Sequence, residues 1–327
     1  MMKAIVFTEY GSTDVLQLKE VEQPEPEENE VLVKVYAAAA NPLDWRFMRA
    51  NPFLARLENG LQKPKKTTRL GADLAGRVEA IGSKVTHFKP GDEVFGEKFE
   101  TGLGGFAEYA CVPEEALALK PRNLSFEEAA AVPIAALTAL QGLQNDGNLQ
   151  SGQNILINGA SGGLGTFSVQ IAKAIGTKVT GVCSTRNLDL VRSIGADDVI
   201  DYTKTDFTNT GKKYDLIFDT VGNRSVSDLL RALKPNGICT VAGFTNMTRF
   251  VDISLKGKWI SRTGNKKIGL MKTVHTNKKD LLFLKELLES EKIVPVIDRH
   301  YPLSQTAEAI RYLEKGRARG KVIITVA

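Results

Sequence analysis

The segment with the plainest chemical content begins Asn154-Ile155-Leu156-Ile157-Asn158-Gly159-Ala160-Ser161-Gly162-Gly163-Leu164-Gly165 and runs on to Gly176. An apolar strand meets a turn of small residues, and the turn feeds a helix whose apolar stripe is Leu164, Phe167, Ile171, Ala172 and Ile175. Within it, Ala160-Ser161-Gly162-Gly163-Leu164-Gly165 takes the place of the dinucleotide fingerprint G-x-G-x-x-G, with alanine for the first glycine. The pattern asks for a tight turn at Ala160, no side chain at Gly162 so that a pyrophosphate can approach the backbone, and close helix-to-strand contact at Gly165. Free N–H groups at the helix start would then face the phosphates.

About 20 residues further on, NAD-binding folds place an acidic residue on the ribose 2′-hydroxyl. Here the second strand ends Gly181-Val182-Cys183-Ser184-Thr185-Arg186-Asn187, without a carboxylate. A 2′-phosphate would meet the Ser184 hydroxyl and the Arg186 guanidinium, and charge-assisted hydrogen bonds of about 1.5–3 kcal/mol favour NADP(H) over NAD(H). Lys178 and Tyr202 are candidates to close the same pocket. Two further glycine loops, Asp219-Thr220-Val221-Gly222-Asn223 and Ala242-Gly243-Phe244-Thr245, fall where the carboxyl ends of parallel strands present their ligands.

Positioning such a site needs alternating strands and helices, and the chain supplies them from about Asn123 to Gly264. Strands are predicted at Asn154 to Asn158, Lys178 to Cys183, Val199-Ile200, Asp215 to Phe218 and Ile238 to Ala242, with helices starting near Gly163, Leu188, Phe207 and Ser225. Ser125 and Glu128 have capping-box spacing ahead of an alanine-rich helix. Before Arg122 the pattern is short strands closed by Pro-Gly-Asp turns (Lys3 to Phe7, Val31 to Tyr36, Gly76 to Gly82, Glu93 to Phe95), which reads as a small β-barrel. Ala50 to Arg69 breaks this rhythm and reads as a long loop that lines a cleft and sets specificity. A helix from Asp280 to Glu291 leads to a last strand, Lys321 to Val326, expected to return to the first domain.

The 327 residues are enough for two cores, and 43% hydrophobic with 25% charged residues is ordinary globular composition. Forty-three Lys and Arg against 38 Asp and Glu leave a net +5 without the dense basic stripe of a nucleic-acid binder. The longest apolar run, Ala129 to Leu140, is broken by Pro133 and is too short for a bilayer, and the start carries no signal core. Cys111, Cys183 and Cys239 are too dispersed for a disulfide framework or a metal pair, so no metal site and a cytosolic location are expected. His87, His275 and His300 form no metal or triad spacing.

Several segments besides the fingerprint carry a family resemblance: Val35 to Arg46, ending Ala40-Asn41-Pro42-Leu43-Asp44-Trp45-Arg46; Gly71-Ala72-Asp73-Leu74-Ala75-Gly76; Gly91 to Gly96; Gly105 to Tyr109; and Pro133 to Leu140. With them the chain resembles the medium-chain dehydrogenase/reductase superfamily over nearly its whole length, and within it the zinc-free, zeta-crystallin-like quinone oxidoreductase branch. The resemblance implies an α/β chain: a GroES-like β-barrel catalytic domain, residues 1–125 with 265–327, and a Rossmann doubly wound parallel sheet binding NADP(H), residues 126–264, with the active site in the cleft between them. Zinc-dependent members place a Cys ligand where this chain has Asn41 and a His-Glu pair where it has Ala72-Asp73. Asn41, Ala72 and Asp73 cannot supply three metal ligands.

By the same resemblance, Asn41 lies near the nicotinamide and substrate, Asp44 and Arg46 share that rim, and Thr138 contacts the nicotinamide side. Val221 and Gly222 border the adenosine half, and Gly243 and Phe244 the nicotinamide half. Asn41-Pro42 also reads as a capped turn, and Asp44 with Arg46 as a mutual pair. Arg317 and Arg319 both lie in a tail that folds back near the cofactor. The implied reaction is hydride transfer to a small molecule that delocalises charge by itself, a quinone or an α,β-unsaturated carbonyl, in a homodimer. Rivals are an enoyl-thioester reductase, and a non-catalytic NADPH-binding sensor or scaffold that binds polyanions.

Overall fold

A computed structural model of the chain describes residues 1–50, 60, 63–64 and 68–326. Most of the Ala50-to-Arg69 loop therefore lies outside the described residues. The strands are β1 (Met2–Phe7), β2 (Gln17–Val21), β3 (Glu30–Ala40), β4 (Thr68–Arg69), β5 (Asp73–Ile81), β6 (Glu93–Glu97), β7 (Tyr109–Pro113) and β8 (Leu117–Leu119), then β9 (Asn154–Asn158), β10 (Lys178–Cys183), β11 (Asp198–Asp201), β12 (Tyr214–Asp219), β13 (Leu233–Val241) and β14 (Lys267–Leu270), and finally β15 (Ile297–Pro302) and β16 (Lys321–Thr325). Two compact units result: Met1–Ile134 with His275–Ser290 and Pro295–Ala327, and Ala135–Val274 with Glu291–Val294. No helix among the described residues is long and apolar enough to cross a membrane.

The first unit is a GroES-like fold. Its seven-stranded sheet runs β15-β16-β3-β5-β6-β8, with β7 also paired to β3, and a smaller sheet runs β2-β1-β4. Val31, Val33 and Val35 point into one core, as alternation predicts. From Ala37 to Ala40 the alternation stops because every residue is buried. Methyl groups let β16 lie against one edge of this stretch and β5 against the other: Val322 pairs with Ala40, and Ala39 with Asp73. The strand therefore continues four residues beyond the expected Tyr36, and Asn41, Asp73 and Lys321 end up at one place. The last strand does return to this unit, as expected.

The second unit has a six-stranded parallel sheet in the order β11-β10-β9-β12-β13-β14. Numbered within the unit this is 3-2-1-4-5-6, the Rossmann order, and it reverses between β9 and β12. Helices start at Gly163, Leu188 and Val226. The expected helix near Phe207 is a three-residue turn, Phe207–Asn209. A 17-residue helix, Met247–Thr263, was not expected from the sequence. Its buried points are Ile253 and Gly257, while Met247, Val251, Leu255 and Trp259 are exposed, so apolar residues lie on both its inner and its outer face. The Ser125–Glu128 capping box forms as anticipated, and Phe126 stacks on Tyr36 with ring centroids 4.5 Å apart.

Candidate functional site

At the carboxyl edge of the parallel sheet, β9 ends in Asn158 and turns through Gly159 into the helix Gly163–Ile175. The tight turn falls on Gly159, whose φ is +87°, and not on Ala160 as the fingerprint alignment suggested. Gly159 and Ala160 both donate their N–H groups to Val182 O, at 3.1 and 3.0 Å, and the Ala160 methyl is fully buried. The other two glycines have the roles that the pattern demands. A Cβ on Gly165 would stand 2.0 Å from Gly159 O, so any side chain there separates helix from strand. A Cβ on Gly162 would meet nothing nearer than Gly159 O at 3.6 Å, so the space over it is open. No side chain caps this helix, which leaves its first N–H groups, from Gly163, Leu164 and Gly165, for an anion.

Ser161 is nearly buried, and its hydroxyl accepts from Asn187 Nδ2 at 2.9 Å; the same amide reaches Ser184 Oγ at 3.3 Å. Asn187 Oδ1 is buried without a partner among the described residues, an orphaned acceptor beside the turn. Ser184, Arg186 and Tyr202 gather at the end of β10, where Tyr202 N donates to Cys183 O. Lys178 does not join them. It opens β10 opposite Asn154, five residues and about 16 Å from the ligand-facing end. A second correction concerns charge. Parallel pairing of β10 with β11 sets Asp201 opposite Cys183, so a carboxylate does reach this corner, from a strand that the 20-residue spacing rule does not inspect. Thr185 Oγ1 and Thr203 Oγ1 donate to it at 2.5 and 2.7 Å, and these bonds, Thr185's above all, hold the Asp201 carboxyl below its ordinary pKa.

The glycine loops after β12 and β13 are pressed together: a Cβ on Gly222 would lie 2.1 Å from Gly243 O, and one on Gly243 2.2 Å from Thr220 O. Asp219, fully buried, ties the first loop down by accepting from Val221 N, Gly222 N and Asn158 Nδ2 at 3.0, 2.9 and 2.8 Å. Burial pushes its pKa up, against those bonds. Phe244 stacks at a tilt on Phe250, 5.2 Å between centroids. Thr138 lies on the helix Pro133–Gln141, half-buried.

The first unit holds a buried polar cluster around Asn41, the N-cap of the helix Pro42–Arg49. Asn41 Nδ2 donates to Asp73 Oδ2 at 2.9 Å and to Ala39 O at 3.1 Å. Lys321 Nζ donates to Asn41 Oδ1 at 2.7 Å and to Asp73 Oδ2 at 2.9 Å, and Ile134 N donates to Asp73 Oδ1 at 2.7 Å. Asp44 is fully buried, and its two oxygens accept from Asn41 N and Gly71 N at 2.7 and 2.9 Å. It thus staples two backbone segments and neither pairs with Arg46 nor faces a rim. Burial raises its pKa to about 7, against the two N–H bonds. Burial does the same to Glu97, which pairs with Asp73 across β5 and β6. Arg46 lies over the Trp45 ring at 5.4 Å, partly desolvated. The sequence reading missed Asp73 as a site residue, and Lys321; the signal for both was the predicted return of the last strand to the first domain.

A glycine turn at the switch point of a parallel sheet, in a chain that also carries a GroES-like unit, defines a dinucleotide-binding fold of the dehydrogenase class. Residues 27–122 match the family described as alcohol dehydrogenase GroES-like domain, and 194–324 match zinc-binding dehydrogenase. The chain is 40% identical to a 2-methylene-furan-3-one reductase of Solanum lycopersicum and 37% identical to an NADPH-dependent alkenal/one oxidoreductase, chloroplastic, of Arabidopsis thaliana, in each case over 99% of this chain and 79% of the relative. Its fold superposes on a quinone oxidoreductase from Coxiella burnetii with a TM-score of 0.87 and 31% identity, covering 100% and 99% of the two chains. The chain belongs to the medium-chain dehydrogenase/reductase superfamily, in its quinone oxidoreductase-like branch.

The zinc in one matched family's description does not fit these residues. Asn41 and Asp73 are bridged by an ammonium, Ala72 has no ligating side-chain atom, and among the described residues no group of three His, Cys, Asp or Glu could hold a metal. A dinucleotide does fit: the open Gly162 cradle, the uncapped helix start and the orphaned Asn187 oxygen lie together at one sheet edge.

Proposed function

We propose that the chain is an NADPH-dependent reductase of quinones or α,β-unsaturated carbonyls. The observation that carries this reading is the Asn41–Asp73–Lys321 cluster: with an ammonium lodged where zinc-dependent relatives place ligands, polarisation of a simple ketone or alcohol has no metal to rely on. Acceptors that spread the incoming electron pair by conjugation need hydrogen bonds and a solvent proton. When bound, NADPH supplies the hydride. Gly162 and the N–H groups of Gly163, Leu164 and Gly165 receive its pyrophosphate, Ser161, Ser184, Arg186 and Tyr202 the ribose phosphate, and Thr138, Val221, Gly222, Gly243 and Phe244 the remaining surfaces. Asn41 borders the acceptor, with Arg46 nearby. The names of the relatives, alkenal/one oxidoreductase and quinone oxidoreductase among them, support the same reading.

Stopped-flow oxidation of NADPH tests it: enones, enals or quinones should be reduced at least about tenfold faster than saturated ketones. Equal or absent turnover across that panel contradicts it, and faster turnover of acyl-CoA thioesters selects the rival reductase.

The proposal includes a homodimer, supported by the exposed stripe Met247, Val251, Leu255 and Trp259 at spacings of four along one helix. It includes a reducing compartment such as the cytosol, supported by three free, buried cysteines. Sedimentation of Leu255→Glu as a monomer checks the first.

A further inference from the structure

Lys321 opens β16, and its register on β3 places it one step beyond the Val322–Ala40 pair, beside Asn41. The side chain retains 3% exposure, and its partner Asp73 none. An ammonium in such a position is costly unless it is paired and hydrogen-bonded. Here it is both.

The chemistry of the three groups fixes their orientations. A lysine offers three donors and no acceptor, and an ionised carboxylate offers acceptors alone. The Asn41 amide must therefore turn Oδ1 toward Lys321 and Nδ2 toward Asp73, as observed. Both Nδ2 hydrogens are spent, on Asp73 and Ala39 O. Asn41 thus has no donor left for a substrate oxygen. Lys321 places two of its three hydrogens among the described residues, on Asn41 and Asp73.

We propose that Lys321 is a positioning residue of the reaction: a built-in cation that fixes Asp73 and locks the Asn41 amide, at the position where zinc-dependent relatives keep metal ligands. The bonds to Lys321, Asp73 and Ala39 O then hold the Asn41 side chain in one fixed arrangement. The inference rests on the reading that Asn41 borders the acceptor. Without Lys321, Asn41 Oδ1 loses its donor and the buried Asp73 loses its counter-charge, so the cluster is no longer balanced.

The experiment compares Lys321→Met, Lys321→Arg and the double variant Lys321→Met with Asp73→Asn, measuring NADPH Kd by calorimetry and kcat and KM with an enone. The double variant buries no unpaired charge, so it folds even where Lys321→Met does not. Lys321→Met or the double variant should lose about 100-fold in kcat while NADPH Kd stays within about twofold, because misplacement of a positioning group acts on the chemical step. Lys321→Arg should recover part of the loss. A double variant with wild-type kcat overturns the inference while leaving the proposed function intact. A wild-type enzyme that reduces no enone or quinone overturns both.

Discussion

At the carboxyl edge of the second unit, the groups offered to a ligand belong mostly to the backbone: uncapped N–H groups at the start of Gly163–Ile175, and glycines whose missing side chains leave room. Around Asn41 the offered groups are side chains, in an almost fully buried arrangement that includes two charges. The first region is shaped by what is left out and holds a preformed cradle. The second is shaped by what must be balanced, since each member's orientation depends on the other two. The first should therefore fail through steric intrusion, and the second through charge.

The largest effect should come from Gly165→Val. Its Cβ would stand 2.0 Å from Gly159 O, so helix and strand must part, and calorimetry should find NADPH binding lost together with a melting temperature lowered by overpacking of about 1–3 kcal/mol or more. Gly162→Ala separates the two roles of glycine in the same turn. Its methyl enters open space, so the protein should melt as the wild type does while NADPH affinity falls by about tenfold. A fall in melting temperature for both variants would show that the cradle is not preformed.

The buried cluster should reveal itself through pH. Asp44 and Glu97 have pKa values raised to about 7, whereas the unfolded chain releases these protons near pH 4. Between those limits the folded state binds more protons than the unfolded state, so stability falls as pH rises from about 4 to about 7, at up to ~1.4 kcal/mol per pH unit for each group. Thermal unfolding across this window should show that fall, and Asp44→Asn should make it shallower. An unchanged slope in the variant would locate the effect elsewhere.

At the ribose end the expected effects are smaller because Arg186 and Tyr202 are exposed and Asp201 is partly exposed. Arg186→Ala should weaken NADPH by about tenfold and leave NADH unchanged. Asp201→Asn removes the carboxylate that β11 brings to the same corner and should strengthen NADPH by about two- to fivefold. Parallel changes for both nucleotides would refute the assignment of this corner to the 2′-phosphate.

The two regions also differ in how far the sequence discloses them. The glycine turn is local: strand, turn and helix lie within a single run from Asn154 to Gly176, and its spacing carries the constraint directly. Even so, alignment to the fingerprint put the tight turn one residue late, because Gly159, whose φ is positive, precedes the pattern. Lys178 was misplaced because proximity in sequence says nothing of which end of a strand a residue occupies. Asp201 escaped because its position depends on the register of a neighbouring strand. The buried cluster joins residues as far apart as 41 and 321, through the alanine stretch of β3, where alternation vanishes. No local pattern carries such a contact, and only the predicted return of the last strand pointed toward it.

The central claim is that reduction of a conjugated acceptor by this chain needs no metal. Its most direct test is the steady-state rate of NADPH oxidation by an enone after exhaustive dialysis against a chelator, with the metal content of the same sample measured. The account predicts an undiminished rate at negligible zinc; a rate that vanishes on dialysis and returns in proportion to added zinc would contradict it.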